Sequence, residues 1–166
     1  MVFVTVGNAT QGFRRLLDTI EDLAGAGTFG SETVLIQSGN NRDFRTLHCI
    51  QEPFLPVERF VEMIRTADLV ICHAGAGTLF HVLQAGKVPV VMPRRAQYGE
   101  LVDDHQTELV EALAPEERII PAYEPEDLSN AIALARKRKA VPVKTLPSRM
   151  VSLVAKAVEE ILGRSA

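Results

Sequence analysis

The feature that most constrains this chain is a repeated switch of hydrophobic period. Short β-branched runs with no polar interruption alternate with longer stretches whose apolar residues recur every three to four positions. Val2 to Val6 is such a run, closed by Gly7. Phe13, Leu16, Leu17, Ile20, Leu23 and Ala24 follow at helical spacing, until Gly25 and Gly27 stop the helix. The same reading places further strands at residues 33–37, 46–51, 69–72, 88–92 and 118–120. Further helices are expected at 56–64, from 78 to 85, and at 103–113, 124–137 and 148–162. A strand that is apolar throughout is buried on both faces, and such strands belong to parallel sheets covered by helices. The predicted fold class is therefore α/β: a Rossmann-like parallel sheet with helices on both faces. Its 166 residues suit one domain, 1–166, with no repeat or linker dividing it.

Charge and cysteine usage remove several function classes. Eighteen basic and 21 acidic side chains leave a net charge of −3, which argues against a dedicated nucleic-acid binder. Cys49 and Cys72 sit in apolar runs without CxxC spacing and read as buried thiols rather than a disulfide or metal site. No apolar stretch approaches the ~20 residues of a membrane span. The opening Met1-Val2-Phe3-Val4 lacks a basic n-region and reads as a strand rather than a signal peptide. A cytoplasmic protein is expected, touching a membrane only peripherally or through a partner.

In an open α/β sheet, ligands bind at the carboxyl ends of the strands. The informative residues are therefore Gly7-Asn8, Ser38-Gly39-Asn40, Phe54, His73 to Thr78, and Pro93 to Gln106. Gly75-Ala76-Gly77-Thr78 follows a buried strand and opens a helix, where unpaired N–H groups and the helix dipole favour an anion. A tight strand–helix turn that needs small residues is the competing reading. The loop is neither GxGxxG, since Phe80 stands where the third glycine would fall, nor a Walker loop. The second strand end, Gln37-Ser38-Gly39, lacks the acidic residue of a dinucleotide site, and Gly7 to Gly12 lacks the glycine spacing. Both features argue against an oxidoreductase. Asp103 and Asp104 are adjacent, so their side chains diverge and no shared metal is expected. Either could cap a helix. Gln106, one turn in, can point back to the crevice and hydrogen-bond sugar hydroxyls. His73 reads as a satisfied structural histidine, His105 as a candidate to line the site, and residues 95–101 as the candidate mobile loop.

Taken in order, His73-Ala74-Gly75-Ala76-Gly77-Thr78, Gly86-Lys87, Val91-Met92-Pro93-Arg94, Gly99-Glu100 and Asp103-Asp104-His105-Gln106 carry a resemblance. With the opening Phe3-Val4-Thr5-Val6-Gly7, they resemble the glycosyltransferase family 28 C-terminal domain across essentially the whole chain. Closest in length are the free-standing donor subunits of dolichol-linked and exopolysaccharide glycosyltransferases. The resemblance implies the C-terminal half of a GT-B fold and transfer of a sugar, with inversion, from a UDP-sugar to a polyprenyl-pyrophosphate-linked acceptor. It implies a membrane-associated partner subunit that supplies the acceptor half and the general base, so no catalytic base is expected here. The chain would then sit at the inner face of the membrane through that partner, and could self-associate when isolated. No cofactor or metal is implied beyond the nucleotide-sugar substrate.

Residue by residue, the resemblance implies that Gly75, Ala76, Gly77 and Thr78 hold the diphosphate, with Gly7 and Asn8 on its other side. The backbone near Phe54 would meet the uracil. Gln106, with Asp103 or Asp104, would meet the sugar, and Arg94 would add a cation near the phosphates or the acceptor. The chain departs from the family pattern at position 81. There the family carries a glutamate for both ribose hydroxyls and this chain has His81. Neutral imidazole accepts one hydrogen bond where a carboxylate accepts two side by side. Weaker nucleotide affinity or a different donor is expected, and a non-catalytic nucleotide-sugar-binding regulatory or scaffold subunit is the alternative function.

Overall fold

A computed structural model describes residues 1–138; the helix predicted at 148–162 lies outside the described residues. The six strands are β1 (Val2–Thr5), β2 (Val34–Gln37), β3 (Ile50–Glu52), β4 (Leu69–His73), β5 (Val90–Met92) and β6 (Ile120–Pro121). They form one sheet in the order β3-β2-β1-β4-β5-β6, and every neighbouring pair is parallel. The helices are α1 (Arg14–Gly25), α2 (Val57–Thr66), α3 (Ala76–Gln84), α4 (His105–Leu113) and α5 (Pro125–Lys137).

The alternation of side chains along a strand divides the core into two layers. Val2, Val4 and Val6 pack with Leu16, Leu17 and Ile20 of α1 and with Leu128 and Ile132 of α5. Phe3 points the other way, into a layer with Ile64 of α2, Leu79, Val82 and Leu83 of α3, and Val110 and Leu113 of α4. Both faces of β1 and β4 are thus covered, which is why Val2 to Val4 and Leu69 to Cys72 are apolar without interruption. Among the described residues, no helix is long and apolar enough to cross a membrane.

The third strand is shorter than its apolar run suggested. Residues 46–49 form a turn instead, built on Glu21 of α1. Its carboxylate accepts from the Thr46 hydroxyl and from the Leu47 N–H at 2.7 Å, while the Cys49 N–H donates to Thr46 Oγ1 at 2.8 Å. Side-chain acceptors there replace the ladder that a strand would have used. Helix α4 also begins at His105 rather than Asp103.

The chain runs outward from β1 to β3 and returns to place β4 beside β1. The crevice at this reversal opens at the carboxyl ends of β1 and β4. The exit of β2 holds the exit of β1 in shape. Asn40 Nδ2 donates to the Asn8 and Ala9 carbonyls at 3.1 and 3.0 Å, and Asn41 Oδ1 accepts from the Phe13 N–H at 2.7 Å. Gly39, at φ +55°, lies so close that a Cβ there would meet the Gly7 carbonyl oxygen at 2.5 Å. Gly39→Ala therefore combines left-handed strain with a backbone clash. It should lower the unfolding free energy by about 2 kcal/mol or more, measured by urea denaturation; an unchanged midpoint would contradict the interlock.

Candidate functional site

A cavity of about 320 Å³ occupies the crevice. Gly7, Asn8, Gln37, His73, Gly75, Gly77 and Thr78 form its polar side, and Leu55, Val57 and Phe60 its apolar side. The structure thus brings together five residues expected from sequence: Gly7, Asn8, Gly75, Gly77 and Thr78. Ala76, between the two glycines, is buried as the first residue of α3.

The loop after β4 presents a bare helix start. No side chain caps α3, whose first intrahelical bond runs from the Leu79 N–H to the Gly75 carbonyl at 2.9 Å. The N–H groups of the first turn have no intrahelical acceptor, and the helix dipole places partial positive charge there. Both glycines flanking the crevice are required by one ring. A Cβ on Gly7 would lie 2.4 Å from the His73 imidazole, and one on Gly75 would lie 2.2 Å from it.

His73 itself is buried at the cavity wall, and its Nδ1 is sealed from solvent without a well-formed hydrogen bond. Burial, and then the charge of Arg94, push its pKa down to about 3, against a weak upward pull from the Thr5 backbone. The ring is therefore neutral throughout the physiological range. Below it, Thr5 Oγ1 donates to Gln37 Oε1 at 2.6 Å, and Gln37 Nε2 lies 3.5 Å from Asn8 Oδ1. The short first contact belongs to an O–H donor, so the Gln37 amide nitrogen is turned toward Asn8.

The remaining expected residues sit elsewhere or act differently. Gln106 is buried, and its Oε1 accepts from the Ala74 N–H at 3.2 Å and the Arg94 N–H at 3.1 Å. One side-chain oxygen thereby ties the β4 exit to the β5 exit. Arg94, expected near the phosphates or the acceptor, does not line the cavity: it is 0% exposed and its guanidinium is held by backbone. It donates to the carbonyls of Val6 (2.8 Å), Gln11 (2.9 Å), Gly12 (3.2 Å) and Glu100 (3.0 Å) and stacks over Phe13.

Asp103 pairs with His105 Nδ1, and Asp104 Oδ1 accepts from the Ala96 N–H at 2.9 Å. Neither lines the cavity; Asp103 Oδ1 accepts from the His105 N–H at 3.3 Å, the first of α4, whereas Asp104, at the N-cap position, makes no side-chain cap bond. His81 lies one turn along α3 from Thr78. Its ring packs edge-on against Phe60 and Phe80, at 6.2 and 5.7 Å between centroids, behind the lining rather than in it. Phe54 is 49% exposed outside the cavity; the neighbouring Leu55 lines it instead. The segment expected to be mobile, 95–101, is tied down. Glu100 holds Arg15 and the Arg95 N–H, and Tyr98 reaches Glu124.

His73, Gln37, Leu55, Val57 and Phe60 were missed as lining residues. The signal for His73 and Gln37 was their place as last residues of β4 and β2. The signal for the apolar wall was α2 starting immediately after a strand exit. Among the described residues, no group of three or more His, Cys, Asp or Glu could hold a metal ion.

A six-stranded parallel sheet of this order, with a glycine-lined crevice at its reversal, is the architecture of one half of a GT-B glycosyltransferase. Superposition agrees. The calicheamicin glycosyltransferase CalG4 shares the fold with a TM-score of 0.58 at 17% identity, over 99% of this chain and 42% of that one. The chain belongs to the glycosyltransferase family 28 C-terminal domain, whose family model matches residues 1–160. It is 29% identical over 174 residues to the UDP-N-acetylglucosamine transferase subunit ALG13 of Yarrowia lipolytica, covering 98% of this chain and 85% of that protein. It is 34% identical over 128 residues to the human protein of the same name, covering 69% of this chain and 10% of that one.

The buried neutral His73 has a consequence for stability. Its folded pKa of about 3 lies below the ordinary value of 6.5. Between those values the unfolded chain binds a proton that the folded chain does not, so stability falls as pH drops, by about 1.4 kcal/mol per pH unit. Urea unfolding of the wild type at pH 7 and pH 5 should show this loss, and His73→Gln should lessen it. An equal pH dependence in the two proteins would contradict the assignment.

Proposed function

We propose that this chain is the donor-binding catalytic subunit of a two-component inverting glycosyltransferase. The donor is a UDP-sugar and the acceptor a polyprenyl-pyrophosphate-linked molecule. The observation that carries the reading is the mixed lining of the cavity: the uncapped start of α3, Gly7 and Asn8 line it together with the apolar Leu55, Val57 and Phe60. The first group suits an anion, the second a flat ring. A nucleoside diphosphate combines both. The names of the relatives favour UDP-N-acetylglucosamine as the donor and a subunit as the working form.

In this mechanism Gly75, Ala76, Gly77 and Thr78 offer N–H groups to the diphosphate, and the α3 dipole stabilises the charge it gains as it departs. That stabilisation lets transfer proceed without a metal. His73, neutral, stands behind the two glycines and keeps the backbone close to the phosphates. Gln106 holds the β4 and β5 exits at one spacing, so that the sugar end of the donor meets a fixed rim; Asp103 and Asp104 shape that rim from the start of α4. The general base comes from the acceptor-binding partner, which also brings the subunit to the membrane. The isolated subunit would bury its partner-facing surface by self-association.

A second reading, a non-catalytic nucleotide-sugar-binding subunit, is favoured by one observation: among the described residues no carboxylate lines the cavity, and His81 is packed against phenylalanines. Co-expression with the membrane-associated subunit separates the two. Sugar transfer to a lipid-linked acceptor is expected only with both chains present. Full activity of this chain alone would refute the split site, and donor binding without transfer would select the second reading. Gly75→Ala, which drives a Cβ into the His73 ring, should weaken UDP binding at least tenfold by calorimetry, about 1.4 kcal/mol; unaltered binding would remove the diphosphate from this loop.

A further inference from the structure

Arg94 stands out because, among the described residues, no carboxylate lies within ion-pair distance of its charge; Glu100, whose backbone carbonyl it binds, acts on it only from farther away. It lies among Arg15, Arg95, Glu100 and Glu124, which form one connected network. Arg15 binds Glu100 at 2.9 Å and Glu124 at 3.6 Å, and Arg95 binds Glu124 at 2.5 Å. Three guanidiniums therefore share two carboxylates, which pair directly with Arg15 and Arg95, so the charge of Arg94, the most buried of the three, is offset only in part and from a distance by Glu100. Carbonyls satisfy four of its hydrogen bonds, but they are dipoles rather than charges, and its Nε is sealed without any partner. A buried cation whose opposing charge, here Glu100, stands beyond ion-pair distance is an expensive arrangement in a folded protein.

The place of this charge gives it a use. Nη2 binds the Val6 carbonyl, the residue before Gly7 of the cavity wall, and the Arg94 N–H shares Gln106 Oε1 with Ala74, the residue before Gly75. The same charge helps to lower the pKa of His73, which lines the cavity. Its own pKa, lowered by burial to about 10, still leaves it charged at neutral pH.

We propose that Arg94 is a buried counter-charge for the diphosphate of the ligand, acting across the β1 and β4 exit loops without touching it. The inference rests on the cavity being a nucleoside-diphosphate site. It makes Arg94 a positioning residue with two separable effects: its forked hydrogen bonds hold the Gly7–Gly12 segment, and its charge favours an anion in the cavity. Across one layer of backbone, at an effective dielectric near 20, a unit charge is worth about a tenfold change in diphosphate affinity.

The test compares UDP with uridine by calorimetry, because uridine shares the ring but lacks the phosphates. Wild type should bind UDP more tightly than uridine. Arg94→Gln should lower the UDP-to-uridine affinity ratio at least tenfold with little change in uridine affinity. Arg94→Lys keeps the charge and loses the fork; it should melt earlier yet keep the ratio within about threefold. An unchanged ratio in Arg94→Gln, or equal losses in both variants, would overturn the counter-charge role. If Arg94→Gln does not fold, Glu124→Gln decides. Removing that half-exposed carboxylate should raise the ratio about twofold at low ionic strength, and an unchanged or lower ratio would count against the proposal. A wild type that binds neither UDP nor inorganic pyrophosphate would sink the nucleotide reading and this inference with it. UDP binding that is indifferent to Arg94 would sink this inference alone.

Discussion

No side chain fits at position 7 or 75 while the His73 ring lies between them. That steric condition organises the whole carboxyl edge of the sheet. It forces both flanking residues to be glycine, and glycine lets the backbone of β1 and β4 approach whatever occupies the crevice. It also excludes the usual solution for a helix start, a side-chain cap, so α3 begins with its first-turn N–H groups unclaimed by any side chain. An uncharged residue thus fixes where bare backbone faces the crevice.

Holding that geometry requires loops that do not drift, and the chain does so with buried polar groups aimed at backbone. Gln106 joins two strand exits through one oxygen, Asn40 and Asn41 brace the β1 exit from β2, and Arg94 gathers carbonyls from three segments. Each contact satisfies a peptide group that an irregular loop would otherwise leave unpaired. Lysine could not replace Arg94 in this task, since only a planar fork reaches several carbonyls at fixed angles.

The layers of the fold were legible in the sequence because hydrophobic period is a property of single elements. Val2 to Val6 and Leu69 to Cys72 needed no partner to declare themselves buried. The weaker third strand was misplaced because Glu21, distant in sequence, supplies the acceptors that hold residues 46–49 in a turn. The site divided the same way. Gly75 and Gly77 were legible from local spacing. Arg94 was read only as a cation near the phosphates or the acceptor, because a strand-end arginine in a polar stretch gives no hint that four carbonyls will converge on it. His81 was placed in the site because its sequence distance from Thr78 is one helical turn. Its ring instead turns to Phe60, a residue of α2 that no local pattern links to it. His73 was read as a structural histidine; its Nδ1 lacks a well-formed bond, and it forms part of the cavity wall.

The chemistry of the edge follows from combining these features. A neutral imidazole at the wall, a helix dipole at its floor and a buried guanidinium behind it give a field of one sign with no group that titrates near neutral pH among them. On the proposed function, such a site would bind the diphosphate by arrangement rather than by contact charge. Its apolar wall, however, is only partly covered, with Val57 67% exposed beside Phe54 at 49%. A flat ring lying there would keep one face in water unless something closed over it. On the proposed function, the acceptor-binding subunit supplies that cover, and the exclusion of water strengthens every dipole already aimed at the diphosphate.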